Sequence, residues 1–465
     1  MNIFGLTIKQ LKSAILKKKI SIQEITKETI KNIQKYNPQL NAWITITEKR
    51  MLLEATNLEK KYFKNIKNLP LLGIPYGVKN IFNIKNYITL VGSKIFKKNK
   101  PAIKDAWTIN KLLQSGALLT GALNMDAYAY GFTTENSDYG PTRNPHDHKR
   151  IAGGSSGGSA AAVSAGLIPF SLGTDTNGSI RVPASLCGIF GLKPTFGRIS
   201  RNGVHVFSSS LDHVGHFARC VEDLALVYNV LCGRDIQDCF QSSYSDNSMY
   251  NFNCIKKGAK GLKCAVLGGF FKKWCDKHAN LAVKKVAQSL NIQEEIILPE
   301  AIIARISAFI ITASEAGNNY LPYLRKSLKM DSYSYPRLLA GSMIPNTWYI
   351  QAQRFRRIFQ KIVASIFKKI DILIAPSTPC SATLIGQENM IINNTNFSPR
   401  VAMGLLTQPI SFIGLPVCSV PLMTDKKLPI GIQIIASPFK EINALRIAWE
   451  LEKKEILLKP RNIRL

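Results

Sequence analysis

The sequence predicts an α/β fold, a single large domain in which a central mixed β-sheet is flanked by helices. Past Leu71, short apolar segments of strand length alternate with segments of helical periodicity, the pattern of a buried sheet covered by helices. The 465 residues are 46% hydrophobic and 20% charged, enough to bury a sizeable core. No internal repeat, low-complexity tail or hinge-like linker divides the chain. Its length would also accommodate two or three domains, but one domain over 1–465, with 1–60 as an N-terminal helical arm, is the simplest organisation.

In chain order, residues 7–36 carry Leu11, Ala14, Ile15, Ile22, Ile25, Ile30 and Ile33 at helical spacing, interrupted near Lys19, which predicts two amphipathic helices. Ser21 followed by Glu24 reads as a capping box for the second. Strands are predicted over 74–78, 117–123 and 168–173, with helices over 106–114 and 159–165. Further strands are predicted over 263–267, 371–375, 417–422 and 431–436, and helices over 281–290 and 348–367. The polar stretches 235–261 and 387–396 read as loop insertions.

Sixty-one Lys and Arg against thirty Asp and Glu give a formal net charge of +31. Such a value raises nucleic acid or an acidic membrane as a partner. The lysines are scattered among Ile and Asn, however, as an AT-rich coding sequence writes them, and no aromatic-interleaved basic face occurs. The charge reads as solvated surface, with neither direct nucleic-acid binding nor membrane binding expected. The nine cysteines form no CxxC pair, which suits free thiols in a reducing compartment. Cys275 and His278 lack a second ligand pair, so no metal site is expected. The N-terminus has no uninterrupted apolar core or cleavage site, and no apolar run approaches the roughly 18 residues of a membrane span. A soluble, cytoplasmic protein is expected.

Three stretches carry chemistry. The run GGSSGGS from Gly153 to Ser159 opens straight into an Ala-rich helix, unlike a flexible linker, and it lacks the lysine of a phosphate-binding loop. Gly154, Ser156 and Gly158 also match the GxSxG elbow of α/β-hydrolases, but the preceding segment is polar where that elbow needs an apolar strand. The second stretch, GTDTNGSIRVP from Gly173, leaves a strand and enters a turn of small residues. Its successive N–H groups can form an oxyanion nest beside a serine hydroxyl, or simply an ordinary strand-exit turn. In the third, GIPYGVKN, Lys79 ends an apolar strand. It is either a surface lysine or, if sunk among apolar walls, a base that gives up its proton easily.

Together these stretches resemble the amidase signature family of Ser-Ser-Lys amide hydrolases. The resemblance runs nearly the whole chain, through GTDTNGSIRVPASLCGIFGLKPT, ILIAPSTP, GLPVCSVP and PIGIQIIA. It implies the amidase signature fold, Ser179 as nucleophile, Ser155 as bridging serine held by a cis peptide bond, and Lys79 as base. It also implies backbone amides of Thr176, Asn177, Gly178 and Ser179 as the oxyanion hole, and no cofactor. That mechanism needs no histidine, so His205, His213 and His216, in a loop-like stretch, are assigned to structure or solvent.

Two branches of the family compete for the substrate. The glutaminase component of tRNA-dependent amidotransferases usually has Gly-Gly before its nucleophile, where this chain has Asn177-Gly178. It also carries an acid for the glutamine α-amino group, where this chain has Gly404. Segments such as PRLLAGSMIP and LLTQPISFIGLP look more like biuret-type amidohydrolases, which act on carboxylated ureas. Arg337 is either the ligand of a substrate carboxylate or a salt-bridged arginine at a helix start. The resemblance implies a small-molecule amide substrate and a small helical partner subunit, with a tRNA-binding subunit in the glutaminase alternative alone. A non-catalytic scaffold is a third reading, which the presence of Lys79, Ser155 and Ser179 opposes.

Overall fold

The computed structural model describes residues 3–61, 69–242, 252–326 and 328–459. Eleven strands form the main sheet. In chain order they are β1 (Trp43–Ile46), β2 (Pro75–Lys79), β3 (Leu118–Leu123), β4 (Phe170–Asp175), β5 (Phe190–Lys193), β6 (His213–Ala218), β7 (Cys264–Leu267), β8 (Glu295–Ile296), β9 (Ile372–Pro376), β10 (Val417–Met423) and β11 (Pro429–Ala436). Across the sheet they run β1-β3-β2-β4-β6-β5-β10-β11-β9-β7-β8. Parallel pairs near both ends (β3 with β2, β2 with β4, β9 with β7, β7 with β8) enclose an antiparallel middle, so the sheet is mixed as expected.

The central strands are buried at every position, which is why they read as near-continuous apolar runs rather than as alternating ones. All seven strands expected from such runs are present within two residues of their predicted bounds. Both N-terminal helices form, Ile8–Leu16 and Ile22–Leu40, and each begins with a capping box. In the second, Ser21 Oγ accepts from the Glu24 amide at 3.1 Å while Glu24 Oε2 accepts from the Ser21 amide at 2.7 Å. The helices Gly157–Ser164 and Arg181–Cys187 have no exposed face. The first packs in one cluster with Ile33, Leu40 and Trp43, its small side chains permitting close approach.

Several expectations need correcting. The first 60 residues also supply β1, which pairs with β3, so they are not purely helical. The stretch 387–396 holds most of a β-hairpin, Met390–Ile392 with Thr395–Phe397. Within 235–261, residues 243–251 lie outside the described residues, and the part before them is anchored through Ser200 Oγ to Asp235 Oδ2 at 2.6 Å. His213 and His216 lie on β6, a buried strand and not a loop. No helix among the described residues is long and apolar enough to cross a membrane.

Candidate active site

Lys79 closes β2, and the parallel register of Val78 with Leu172 brings it beside the end of β4. Its side chain is completely buried, with Nζ 2.7 Å from Ser155 Oγ and 2.8 Å from Thr174 Oγ1. Burial pulls the Lys79 ammonium down to about 7 against the opposing pull of Asp126, Asp212 and Asp175. Thr174 carries no signal of its own in the sequence; strand pairing alone selects it.

Ser155 sits in the turn ahead of the Gly157–Ser164 helix, and the Gly154–Ser155 peptide is cis, as the resemblance implied. A Cβ at Gly154 would lie 2.0 Å from Asp126 Oδ2, so only glycine lets this turn pass the buried carboxylate. Ser156, the serine of the GxSxG match, is tied to the backbone of Thr174, with its Oγ 3.2 Å from the carbonyl oxygen and 3.4 Å from the amide. The segment before it is the Asp147–Ile151 strand of a small hairpin, outside the main sheet, so the elbow reading fails on both counts.

Ser179 lies on the turn between β4 and the Arg181–Cys187 helix. That turn is built around Asp175. Its Oδ1 accepts from the Gly178 amide at 2.7 Å and from Arg181 Nη2 at 2.9 Å, while Oδ2 accepts from the Ile180 amide at 3.1 Å and Arg181 Nε at 3.0 Å. Burial alone would raise the Asp175 carboxyl, but the Arg181 guanidinium overrides it and holds the group well below the usual carboxylate range. The Gly178 amide is thereby committed to Asp175 and is withdrawn from the expected oxyanion set. The amides of Thr176, Asn177 and Ser179 make no hydrogen bond among the described residues.

Ser179, Thr176 and Asn177 line a small cavity together with Arg337, Phe132 and Gln408. No hydrogen bond joins Ser155 to Ser179 among the described residues, so the structure brings Lys79 and Ser155 into contact but leaves the second link of the expected relay open. Arg337, near the start of the Tyr335–Ser342 helix, stacks its guanidinium 3.6 Å from the Tyr130 ring centroid and donates to the Tyr130 carbonyl oxygen at 3.0 Å. It forms no ion pair among the described residues, which removes the salt-bridge reading. A Cβ at Gly404 would lie 2.1 Å from the Phe132 ring, so the place of the missing acid is filled by an aromatic side chain that also lines the cavity.

The histidines are held elsewhere. His205 Nε2 is 3.1 Å from Tyr320 Oη, His213 Nδ1 is 2.6 Å from the Leu211 carbonyl oxygen, and His216 Nε2 is 2.7 Å from that of Leu224. Burial lowers all three, His205 and His216 to about 4. None contacts a serine of the site. A second fully buried lysine, Lys193 at the end of β5, is also lowered to about 7 by burial and by Arg181, and its Nζ donates to the Pro194 carbonyl oxygen at 3.1 Å.

Comparison with known proteins gives a consistent picture. The family model described as Amidase matches residues 24–445. The chain is 46% identical over 437 residues to AtzE, the 1-carboxybiuret hydrolase subunit of Pseudomonas sp. (strain ADP), covering 93% of this chain and 95% of that protein. It is 34% identical to the glutamyl-tRNA(Gln) amidotransferase A component of Syntrophomonas wolfei subsp. wolfei (strain DSM 2245B / Goettingen), covering 97% of this chain and 96% of that one. Among solved structures, a vestigial protein complex described as revealing the evolutionary origins of an s-triazine catabolic enzyme superimposes with a TM-score of 0.94. That match has 44% identity and covers 97% of this chain and 99% of the other.

Proposed function

The chain belongs to the amidase family and is an amide-cleaving hydrolase, and on that premise we propose that it acts on a small carboxylated urea or biuret-like amide through a Ser-Ser-Lys relay. Neutral Lys79 takes the proton of Ser155, Ser155 takes that of Ser179, and the Ser179 oxygen attacks the amide carbonyl carbon. The amides of Thr176, Asn177 and Ser179 receive the oxyanion. As the C–N bond breaks, the proton returns through Ser155 to the departing nitrogen, giving ammonia or an amine, and water then releases the acid from Ser179. The scheme uses residues of this chain and one water molecule and calls for no cofactor.

The substrate choice rests on one observation, the Phe132 ring packed against Gly404 and lining a cavity together with the Arg337 guanidinium, which has no ion-pair partner among the described residues. A planar cation suits a carboxylate. An aromatic ring where a glutamine α-ammonium would need an acid leaves that ammonium unpaired, at a cost of about 1–3 kcal/mol. The greater identity to a carboxybiuret hydrolase than to an amidotransferase supports the same choice. The hydrolase relative is named as a subunit and the similar structure as a complex, which supports a partner subunit; that this partner is small and helical and that the protein works in the cytoplasm are part of the proposal. A tRNA-binding partner belongs only to the glutaminase alternative.

The test is ammonia release by the purified chain from glutamine, asparagine, carboxybiuret and biuret. Carboxybiuret or biuret is expected to turn over faster than glutamine. Efficient glutamine turnover, and above all its stimulation by a tRNA-binding partner, would promote the amidotransferase reading instead.

A further inference from the structure

We propose that the Asn177 side chain is a specificity-determining residue that accepts a hydrogen bond from the N–H lying between two carbonyl groups of a urea-type substrate. The inference rests on the function proposed above and names how the site tells a urea-type amide from a carbon-linked one. Asn177 lines the same cavity as Ser179, from which only Gly178 separates it in the chain. Its Nδ2 lies 2.8 Å from Thr312 Oγ1, on the Ala301–Leu324 helix. The Thr312 hydroxyl lies 2.8 Å from the Ala308 carbonyl oxygen, to which it donates its only proton, so toward Asn177 it can act only as an acceptor. Asn177 must therefore present Nδ2 to Thr312, and its amide cannot flip without losing that bond. This leaves Oδ1, a buried oxygen without a hydrogen-bond partner.

One more buried oxygen of a residue lining the cavity shares that condition, Gln408 Oε1. The lining thus holds two amide oxygens awaiting donors. A biuret-like molecule is the complementary case, since each of its nitrogens carries hydrogen. Asn177 is also the residue at which the turn departs from a Gly-Gly sequence, and a glycine there would offer no side-chain oxygen. A site built to accept from a substrate N–H discriminates strongly against an analogue lacking it, because the acceptor is then buried unpaired.

Biuret and malonamide isolate this contact, since they differ only in N–H against CH2 between the two carbonyls and neither carries a carboxylate for Arg337. The quantity read is the ratio of kcat/KM for biuret to that for malonamide, measured on the full chain. The wild type is expected to favour biuret. Asn177→Ala, and Asn177→Gly as a second variant should the first fold poorly, are expected to lower the ratio by roughly tenfold. Thr312→Val, which keeps the shape but loses the acceptor that orients Asn177, should lower it in the same direction by less, and Thr312→Ser should retain it. A ratio unchanged in both Asn177 variants, with wild-type biuret turnover intact, overturns the assignment while leaving the proposed function standing. Wild-type preference for glutamine over both compounds overturns the proposed function and this assignment together.

Discussion

Lys79 and Lys193 are alike in almost everything that is usually taken to mark a base. Each ends a strand of the main sheet, each is completely buried, and burial lowers each to about 7. They differ in what faces the nitrogen. Lys79 meets two hydroxyls, either of which can give it a proton, whereas Lys193 meets the carbonyl oxygen of Pro194, which has none to give. Desolvation thus makes a lysine available as a base, and only a proton donor within hydrogen-bond reach gives it work.

The largest effect expected on this comparison is from the relay itself. Ser179→Ala, Ser155→Ala and Lys79→Ala should each lower kcat by about three orders of magnitude or more, and the losses should not add, because the three act as a unit. Lys193→Met should cost about tenfold or less. Equal losses at the two lysines would break the distinction. Next in size is the pH profile. The neutral fraction of Lys79 falls about tenfold for each unit below 7, so activity should rise with pH through about 7 and level off above it. Lys193→Met should keep that limb.

The smallest effect is on stability. Both lysines have folded-state values below their ordinary 10.5, so between about 7 and 10.5 the unfolded chain binds more protons, and stability should rise with pH across that window. Each lysine contributes about 1 kcal/mol per pH unit. Urea denaturation of Lys193→Met at pH 7, 8 and 9 should show a shallower rise than wild type; an unchanged slope would mean that Lys193 is not the group its burial suggests.

The parts of the molecule legible in the sequence share one property: their signal is local. The strands are visible as apolar runs and the Ser21–Glu24 cap as a pair three residues apart, whereas the roles expected of Lys79, Ser155 and Ser179 rest on the family resemblance of the stretches that hold them. The 24-residue helix Ala301–Leu324 escapes such a reading, because it is apolar on both sides. Ala304, Ala308 and Ile311 are buried while Ile302, Ile303, Ile306 and Phe309 are exposed, so no single stripe marks it. β5 and β6 escape it because Gly191, Gly215 and two histidines break their apolar pattern. Thr174, Asp212 and Phe132 act on the site through neighbours far away in the chain, and the commitment of the Gly178 amide to Asp175 is a matter of which way a backbone group points. No composition or spacing encodes either.

The buried Arg181 has a consequence for how the protein must be made. It bonds to Asp175 only six residues away, but its Nη1 donates to Gln433 Oε1 at 2.7 Å across 252 residues of sequence. During synthesis the Asp175–Arg181 turn therefore leaves the ribosome long before the strand that completes its support. Until β11 is added, the guanidinium lacks one of its two Nη1 acceptors in the folded protein, the other being the Thr407 carbonyl oxygen. A chain that stops short of Gln433 contains Lys79, Ser155 and Ser179 but lacks this one support of the Asp175–Arg181 turn, which is expected to take its final form only once β11 is made.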